Sequence, residues 1–325
     1  MRRRELIAVL GGAAAWPFAA RAQQPMPVVG FLNPASAQSY ARQLAAFLKG
    51  LRETGFTDSD NVKIEYRWAE GQNDRLRAMA EDLVRRNVAV IAATSTPATL
   101  AAKAATTTIP IIFETGGDPI DLGLVFSLSR PGANVTGVTQ TNVELVPKRL
   151  QLMHELLPTA HVMAFLVNSA DGSLAAAYAR EAKEAAQTLG LELHVLDAGT
   201  DRALEEVFAK LSQLRAAGLV VGGGAFLTSR SVQIATLALR HAVPAIFQGR
   251  EFTAAGGLVS YGSDIAESYR LAGVYTGRIL KGDKPANLPV QQATKVEFYV
   301  NLKTAKTFGI TVPLPLSGRA DELIE

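Results

Sequence analysis

The chain has 325 residues, with 33 Lys and Arg against 30 Asp and Glu, 48% hydrophobic residues and no Cys. That apolar share excludes a disordered chain, and the length provides for two domains or lobes, each with its own core. The lack of Cys excludes disulfides, thiolate nucleophiles, thiolate-held zinc, iron–sulfur clusters and lipid attachment through Cys.

In chain order, residues 1–22 come first. Arg2, Arg3 and Arg4 precede the short apolar run Leu6 to Ala15, and Ala20-Arg21-Ala22 follows. This is the pattern of a cleavable export signal, with cleavage expected before Gln23. The run is far shorter than the ~20 residues that a membrane span needs. The paired Arg before Glu5, Leu6 and Ile7 suits a twin-arginine signal, and a general secretory signal fits as well. With no Cys to carry lipid, a periplasmic protein that is not a lipoprotein is expected. The segment holds four Arg and one acid, so the rest of the chain is neutral and lacks a basic footprint for nucleic acid.

From Pro27 onward, short apolar runs alternate with amphipathic stretches. Strands are predicted at Val28 to Leu32, Val62 to Trp68, Val88 to Ala93, Ile109 to Phe113 and Val135 to Val138, with helices at 39–54, 73–86, 96–105 and 121–129. Leu44, Phe47, Leu48 and Leu51 recur at helical spacing, and Gly55 follows as a stop signal. The alternation restarts with strands at Val162 to Val167, Leu191 to Leu196, Leu219 to Val221, Pro244 to Phe247 and Leu258 to Tyr261. Helices are predicted between and after them at 173–189, 201–215, 226–241 and 264–281. Such alternation implies an α/β protein with parallel sheets and right-handed crossovers.

The second half echoes the first. Phe31-Leu32-Asn33 matches Leu166-Val167-Asn168, and Ile109 to Phe113 matches Val243 to Phe247, at nearly the same offset. A period this long is a duplicated domain, because solenoid repeats run at ~20–50 residues. Two doubly wound lobes in series follow.

Ligands of doubly wound sheets bind beyond the C-terminal strand ends. Six loops occupy those places: 33–36, 94–97, 114–119, 168–173, 222–226 and 248–251. They are rich in Gly, Ser, Thr and Asn, which expose backbone N–H groups and hydroxyls at positive helix ends. The candidate ligand-binding residues are Asn33, Ser36, Thr94, Ser95, Thr96, Thr115, Gly116, Asp118, Asn168, Ala225, Phe226, Glu251 and Tyr261. Thr96-Pro97 reads as an N-cap with Pro at the first helical position, compatible with hydroxyls and N–H groups directed at a ligand carboxylate. Asp118-Pro119 reads equally as a cap or as the partner of a ligand ammonium, and Glu114 and Glu251 carry the same two readings. Phe226 and Tyr261 are the favoured stacking residues, ahead of Tyr40 and Trp68.

Gly222-Gly223-Gly224 lacks the third glycine of G-x-G-x-x-G, and no G-x-x-x-x-G-K-S/T occurs, so it reads as close backbone approach without nucleotide chemistry. His154, His161, His194 and His241 form no metal-ligand spacing, and no G-x-S-x-G elbow is present. No cofactor, no metal and no catalytic set is expected.

The stretch Ile109 to Gly137, with Asp118-Pro119 and Asn134-Val135-Thr136-Gly137, resembles the ABC transporter substrate-binding proteins of the tryptophan/tyrosine type. Gly30-Phe31-Leu32, Ala93 to Ala98, Pro244, Leu280-Lys281-Gly282 and Asn301 extend the resemblance over essentially the whole mature chain. It implies two Rossmann-like lobes joined by a multi-crossover hinge, a type I periplasmic binding fold with the ligand between the lobes. The implied partners are a small organic solute, such as an amino acid or aromatic compound, and an ABC permease in the inner membrane. The chain departs from the family where Gly222 to Phe226 replaces an Asp-bearing segment, which leaves the ligand class open.

The expected division is residues 26–143 plus about 256–285 for lobe 1, and 144–255 plus about 286–325 for lobe 2. Hinges are expected near 139–146, 250–257 and 283–290. The function expected is capture of a solute by lobe closure, by a monomer that is not an enzyme. A periplasmic receptor of a signalling system and a periplasmic α/β enzyme are the alternatives. A sugar-responsive repressor would need a helix-turn-helix where the export signal stands.

Overall fold

The computed structural model describes residues 26–325. The expected export signal at 1–22 lies outside the described residues. The first lobe runs β1 (Val28–Asn33), α1 (Ala41–Glu53), β2 (Lys63–Trp68), α2 (Leu76–Arg85), β3 (Val90–Thr94), α3 (Thr96–Ala105), β4 (Ile111–Thr115) and β5 (Val135–Gln140). The second runs α4 (Val146–Leu156), β6 (Val162–Val167), α5 (Ser173–Leu189), β7 (Glu192–Asp197), α6 (Asp201–Gln213), β8 (Gly218–Val221), α7 (Ala225–Ser229), α8 (Ser231–Arg240), β9 (Ala245–Phe247), α9 (Arg250–Ala254) and β10 (Val259–Ser263). The chain closes with α10 (Ile265–Leu280), β11 (Gln291–Ala293), β12 (Val296–Asn301), α11 (Leu302–Thr307), α12 (Leu314–Ser317) and β13 (Glu322–Ile324).

The strands form two sheets, ordered β11-β5-β4-β3-β1-β2 and β13-β12-β10-β9-β8-β6-β7. Central strands such as β3 and β4 are buried at every position, as a parallel sheet with helices on both faces requires. Reading β6–β10 for β1–β5, the second sheet repeats the order of the first. The duplication extends to single atoms. Asn33 Oδ1 accepts from Ala35 N at 2.7 Å, and Asn168 Oδ1 accepts from Ala170 N at 3.2 Å, so the same Asx turn ends the first strand of each lobe. One strand pair departs from the parallel rule: β12 runs antiparallel to β10.

The lobe boundaries shift from those expected. Val259–Ser263 belongs to the second sheet and Gln291–Ala293 to the first. The crossings therefore fall after Gln140, at Ser263–Ile265 and between Ala293 and Val296; 250–257 and 283–290 lie within lobes. Polar contacts tie two crossings together. Ser263 N donates to Asn142 Oδ1 at 2.9 Å, and the buried Arg149 guanidinium donates to the carbonyls of Asn142 and Tyr261.

Two helices also differ. In place of a helix at 121–129, residues 119–123 form one turn that Gly123 ends in a left-handed conformation, φ +64°. The stretch 226–241 divides at Arg230 into α7 and α8.

After leaving the second sheet, α10 returns to the first lobe and lies on α1. A Cβ on Gly50 would stand 1.8 Å from the Arg270 carbonyl oxygen, and one on Gly273 would stand 2.0 Å from that of Phe47. Only hydrogen at these two positions permits so close a helix crossing. Phe47 and Leu51 of α1 and Tyr269, Ala272 and Tyr275 of α10 share one buried cluster with β1.

Candidate functional site

The C-terminal ends of both sheets face one interlobe cavity with about 470 Å³ of atom-free space. The first lobe supplies Tyr40, Ser95, Thr96, Pro97, Glu114, Gly116 and Gln140. The second supplies Asp171, Leu174, Tyr178, Gly224, Ala225, Thr228 and Gln248, while Ile265 and Tyr269 come from α10. The lobes touch around it. Asn73 Nδ2 donates to Ala170 O at 3.4 Å, and Ala225 packs into the cluster around Tyr40.

The first-lobe wall is built by capping. Ser95, not Thr96, caps α3, accepting from Ala98 N at 3.2 Å, so Pro97 falls one position deeper in the helix. Ser95 does so at φ 151°, a conformation that costs a non-glycine residue ~1–3 kcal/mol. The Thr96 and Thr115 hydroxyls pair with each other at 2.5 Å. Glu114 is the penultimate residue of β4, and among the described residues its carboxylate accepts from one side chain, the Gln140 amide. Burial pushes its carboxyl up to about 7.

The second-lobe wall is built around glycines. A Cβ at Gly223 would overlap the Tyr178 hydroxyl and Gln248 Oε1, and one at Gly224 would stand 2.2 Å from Asp171 Oδ2. The triple glycine thus lets two side chains press on the backbone, in agreement with close approach. Tyr178 donates to Gln248 Oε1 at 3.3 Å, and Gln248 Nε2 donates to Thr228 Oγ1 at 3.3 Å. Asp171 is 6% exposed, and its Oδ2 has no hydrogen-bond partner among the described residues. Burial pushes its carboxyl up to about 6, against the pull of Asn73 and Asn168. Burial holds Tyr178 up to about 12 and raises Tyr40 and Tyr269 as well, so all three rings stay neutral and present hydroxyls.

No Lys or Arg lines this cavity among the described residues. The buried Arg149 lies behind Tyr178 with its charge directed to hinge carbonyls, and desolvation lowers its pKa. The cavity therefore combines two buried carboxylates on opposing lobes, hydroxyls at the start of α3, and aromatic and aliphatic walls. Chemically, that suits a cationic nitrogen on an apolar body.

Of the residues expected from sequence, Ser95, Thr96, Gly116 and Ala225 line the cavity. Asn33, Thr94 and Thr115 stand one layer behind. Asn33 Nδ2 donates to Thr94 O and Oγ1 at 2.9 Å and to the Tyr269 hydroxyl at 3.1 Å, so it fixes Tyr269. Asn168 stands behind Asp171, whose backbone N–H donates to the Asn168 carbonyl at 3.0 Å. Ser36 bonds to Ser39 outside the cavity. Asp118 is exposed, accepts from Ile120 N at 2.7 Å and lies on a wider outer opening that shares Gly116, Gln140 and Leu174 with the cavity. Phe226 packs into the second-lobe core with Arg230 over its ring, and Tyr261 packs edge-on to Phe298. Neither covers the cavity. Glu251 lines a second, polar cavity next door.

The sequence reading left out Asp171, Tyr178, Gln248 and Tyr269 as site residues. Asp171 stood inside a loop already chosen and could have been found there. Tyr178 and Tyr269 come from helix interiors, where an aromatic at helical spacing reads as core. Among the described residues no group of three His, Asp or Glu side chains converges.

A family model described as ABC transporter substrate binding protein matches residues 28–324. The tyrosine-binding protein of Clostridioides difficile (strain R20291) is 26% identical over 266 residues, spanning 80% of this chain and 74% of that protein. An ABC domain from Streptococcus pneumonia in complex with L-Trp matches with a TM-score of 0.83 at 26% identity, over 92% of this chain and 99% of that one. A conserved domain protein from Vibrio cholerae matches with a TM-score of 0.84 at 23% identity, with the same two coverages.

Proposed function

This chain belongs to the ABC transporter substrate-binding protein family, and from that premise we propose that it captures a small organic solute bearing an ammonium group and hands it to a membrane permease. Solute binding is the family's role; the ammonium group, the permease and the compartment are our reading. Residues 1–22 would direct export and be removed before Gln23, leaving a periplasmic protein without lipid. No helix among the described residues is long and apolar enough to cross a membrane.

One observation carries the choice of ligand chemistry: Asp171, whose buried Oδ2 has no partner among the described residues, lines a cavity that Glu114 lines from the other lobe. An unpaired buried carboxylate costs several kcal/mol, and a ligand ammonium, with three donors, removes that cost on binding. Because its two acceptors sit on different lobes, the ammonium favours the closed form over the open one, which is the differential affinity that closure requires. Tyr40, Tyr178, Tyr269 and Leu174 would enclose the apolar body, and Ser95, Thr96 and the N–H groups beside them would receive a carboxylate where the solute has one. The ligands in the relatives' names, tyrosine and tryptophan, have this chemistry. In this reading the solute is released unchanged.

Thermal-shift and calorimetric titration of the mature protein with amines, amino acids and neutral analogues tests the reading. Ammonium-bearing solutes should raise the melting temperature, by mass action. Asp171→Asn should weaken them by roughly 10–100-fold, the value of a charge-assisted hydrogen bond, with no loss of ligand-free stability. Binding of neutral analogues as tight as that of amines, or an Asp171→Asn variant that binds unimpaired, refutes it.

A further inference from the structure

We propose that Asn142 is a positioning residue for solute capture: its side-chain amide, held by the second lobe, grips Gln140 of the first lobe and favours the closed arrangement. The inference goes beyond the chemistry of the solute and holds for whichever small molecule the cavity takes.

Asn142 stands on the first crossing, just past the end of β5, and is fully buried. An amide buried there is costly unless both its ends are met. Its backbone is fixed to the second lobe. Arg149 of α4, also fully buried, donates from Nη2 to Asn142 O at 2.6 Å and from Nη1 to Tyr261 O of β10 at 3.1 Å. Both bonds are charge-assisted. Glycine at 262 lets the Asn142 side chain lie against β10, since a Cβ there would stand 2.8 Å from Asn142 Oδ1.

Hydrogen-bond chemistry then fixes each amide in turn. A backbone N–H can only donate, so Asn142 presents Oδ1 to Ser263 N, at 2.9 Å. Its Nδ2 therefore faces Gln140, donating to Oε1 at 2.5 Å. Gln140 is left to turn Nε2 toward Glu114 on the cavity wall. The relay has one sense, from the second crossing through the first to the cleft. Ser263 and Arg149 belong to the second lobe, Gln140 and Glu114 to β5 and β4 of the first. Only Thr141 separates Gln140 from Asn142, so rotation at this crossing turns on the Thr141 backbone and swings the two amides out of line. Thr141 itself meets Ser263 Oγ, donating from its N–H at 3.3 Å and pairing hydroxyls at 3.1 Å. With the lobes in contact these bonds are made together. Opening loses them, and with them the donor aimed at a carboxyl in the cavity, so hinge and cleft are linked.

The test is double electron–electron resonance on the ligand-free mature protein, so it does not depend on the solute. Nitroxide labels go on Ala78→Cys in α2 and Lys183→Cys in α5, exposed positions on the helices that follow β2 and β6, far from the crossings in both sheet orders. The chain has no Cys of its own, so no other position is labelled. The labelled background should show a short distance from the closed form beside a longer one from the open form. Asn142 lines neither the cavity nor its outer opening, yet Asn142→Ala should lower the short-to-long ratio about fivefold, the worth of one net hydrogen bond. Gln140→Leu, at a half-buried position, should do the same and carries the test if Asn142→Ala does not fold. The double variant should open no further than either single one, because both remove the same bond. An unchanged ratio with only a lower melting temperature makes the two amides structural and overturns the proposal. A background with no short distance, or a double variant whose effect is the product of the singles, overturns it as well. Each of these failures leaves the ammonium reading, which rests on Asp171, standing.

Discussion

The two lobes share strand order, crossovers and even the Asx turn after the first strand, yet they contribute different things to the cleft. In the first lobe the loop polar groups are spent inside the lobe: Asn33 on Thr94 and Tyr269, Thr96 on Thr115, Ser95 on its own helix. In the second lobe the corresponding loops keep buried carboxylate oxygens unmet at Asp171 and Glu251. One scaffold, duplicated, thus holds its polar groups paired on one side, Glu114 with Gln140 among them, and leaves carboxylate oxygens unmet on the other. Topology fixes where a ligand sits, and the few side chains placed at that point fix what it is.

The comparison has a mechanical side as well. The first lobe depends on α10, which the chain delivers only after completing most of the second sheet. Gly273→Ala forces α1 and α10 apart, because the new Cβ meets backbone and not a side chain that could turn away. It should cost about 3 kcal/mol or more, at the upper end of overpacking. Amide exchange should quicken in β1, β3 and α1, while β6 and β8 stay protected. Equal loosening of both lobes would show that they do not fold as separable units.

Much of this arrangement was legible in sequence. Apolar periodicity placed β1–β5 and β6–β10 but not β11, β12 or β13, and the near-constant offset between Asn33 and Asn168 and between the two Pro-preceded strands exposed the duplication. Sheet membership was not legible. Val259–Ser263 looks like any other short strand, Gln291–Ala293 shows no strand pattern at all, and only partners far along the chain decide which sheet each joins. The helix expected at 121–129 failed because Gly123 takes a left-handed conformation after one turn and leaves Phe126 exposed. Site loops were found because composition marks strand ends. Side-chain direction was not found, and so Phe226 and Tyr261 faced core while Tyr178 and Tyr269 faced the cleft.

The unmet charge of the cleft predicts opposite responses to pH with and without ligand. Glu114 is shifted from an ordinary 4.5 to about 7, and Asp171 from 3.8 to about 6. Between about pH 4 and 7 the folded, ligand-free protein therefore holds more protons than the unfolded chain. The stability these groups contribute is complete below their unfolded values and is lost as pH rises through the folded ones. The melting temperature of the free protein should fall over that window, by an amount on the order of a few kcal/mol in stability. An ammonium ligand needs the ionised carboxylates, so the ligand-induced rise in melting temperature should grow over the same window. Parallel pH profiles with and without ligand would contradict the assignment of Glu114 and Asp171 to the solute.

The smallest effect concerns Asp118, where the sequence left a cap and an ammonium partner equally open. Its carboxylate is exposed on the outer opening and accepts from Ile120 N and Asp121 N, at 2.7 and 3.3 Å, which is turn capping. Asp118→Ala should remove about 0.5–1 kcal/mol of stability, the value of a modest cap. Affinity for an ammonium-bearing solute should change by no more than about twofold, because an exposed charge is screened by water and salt. A loss of affinity comparable to that of Asp171→Asn would move the ligand outward, toward the opening lined by Gly117 and Leu122.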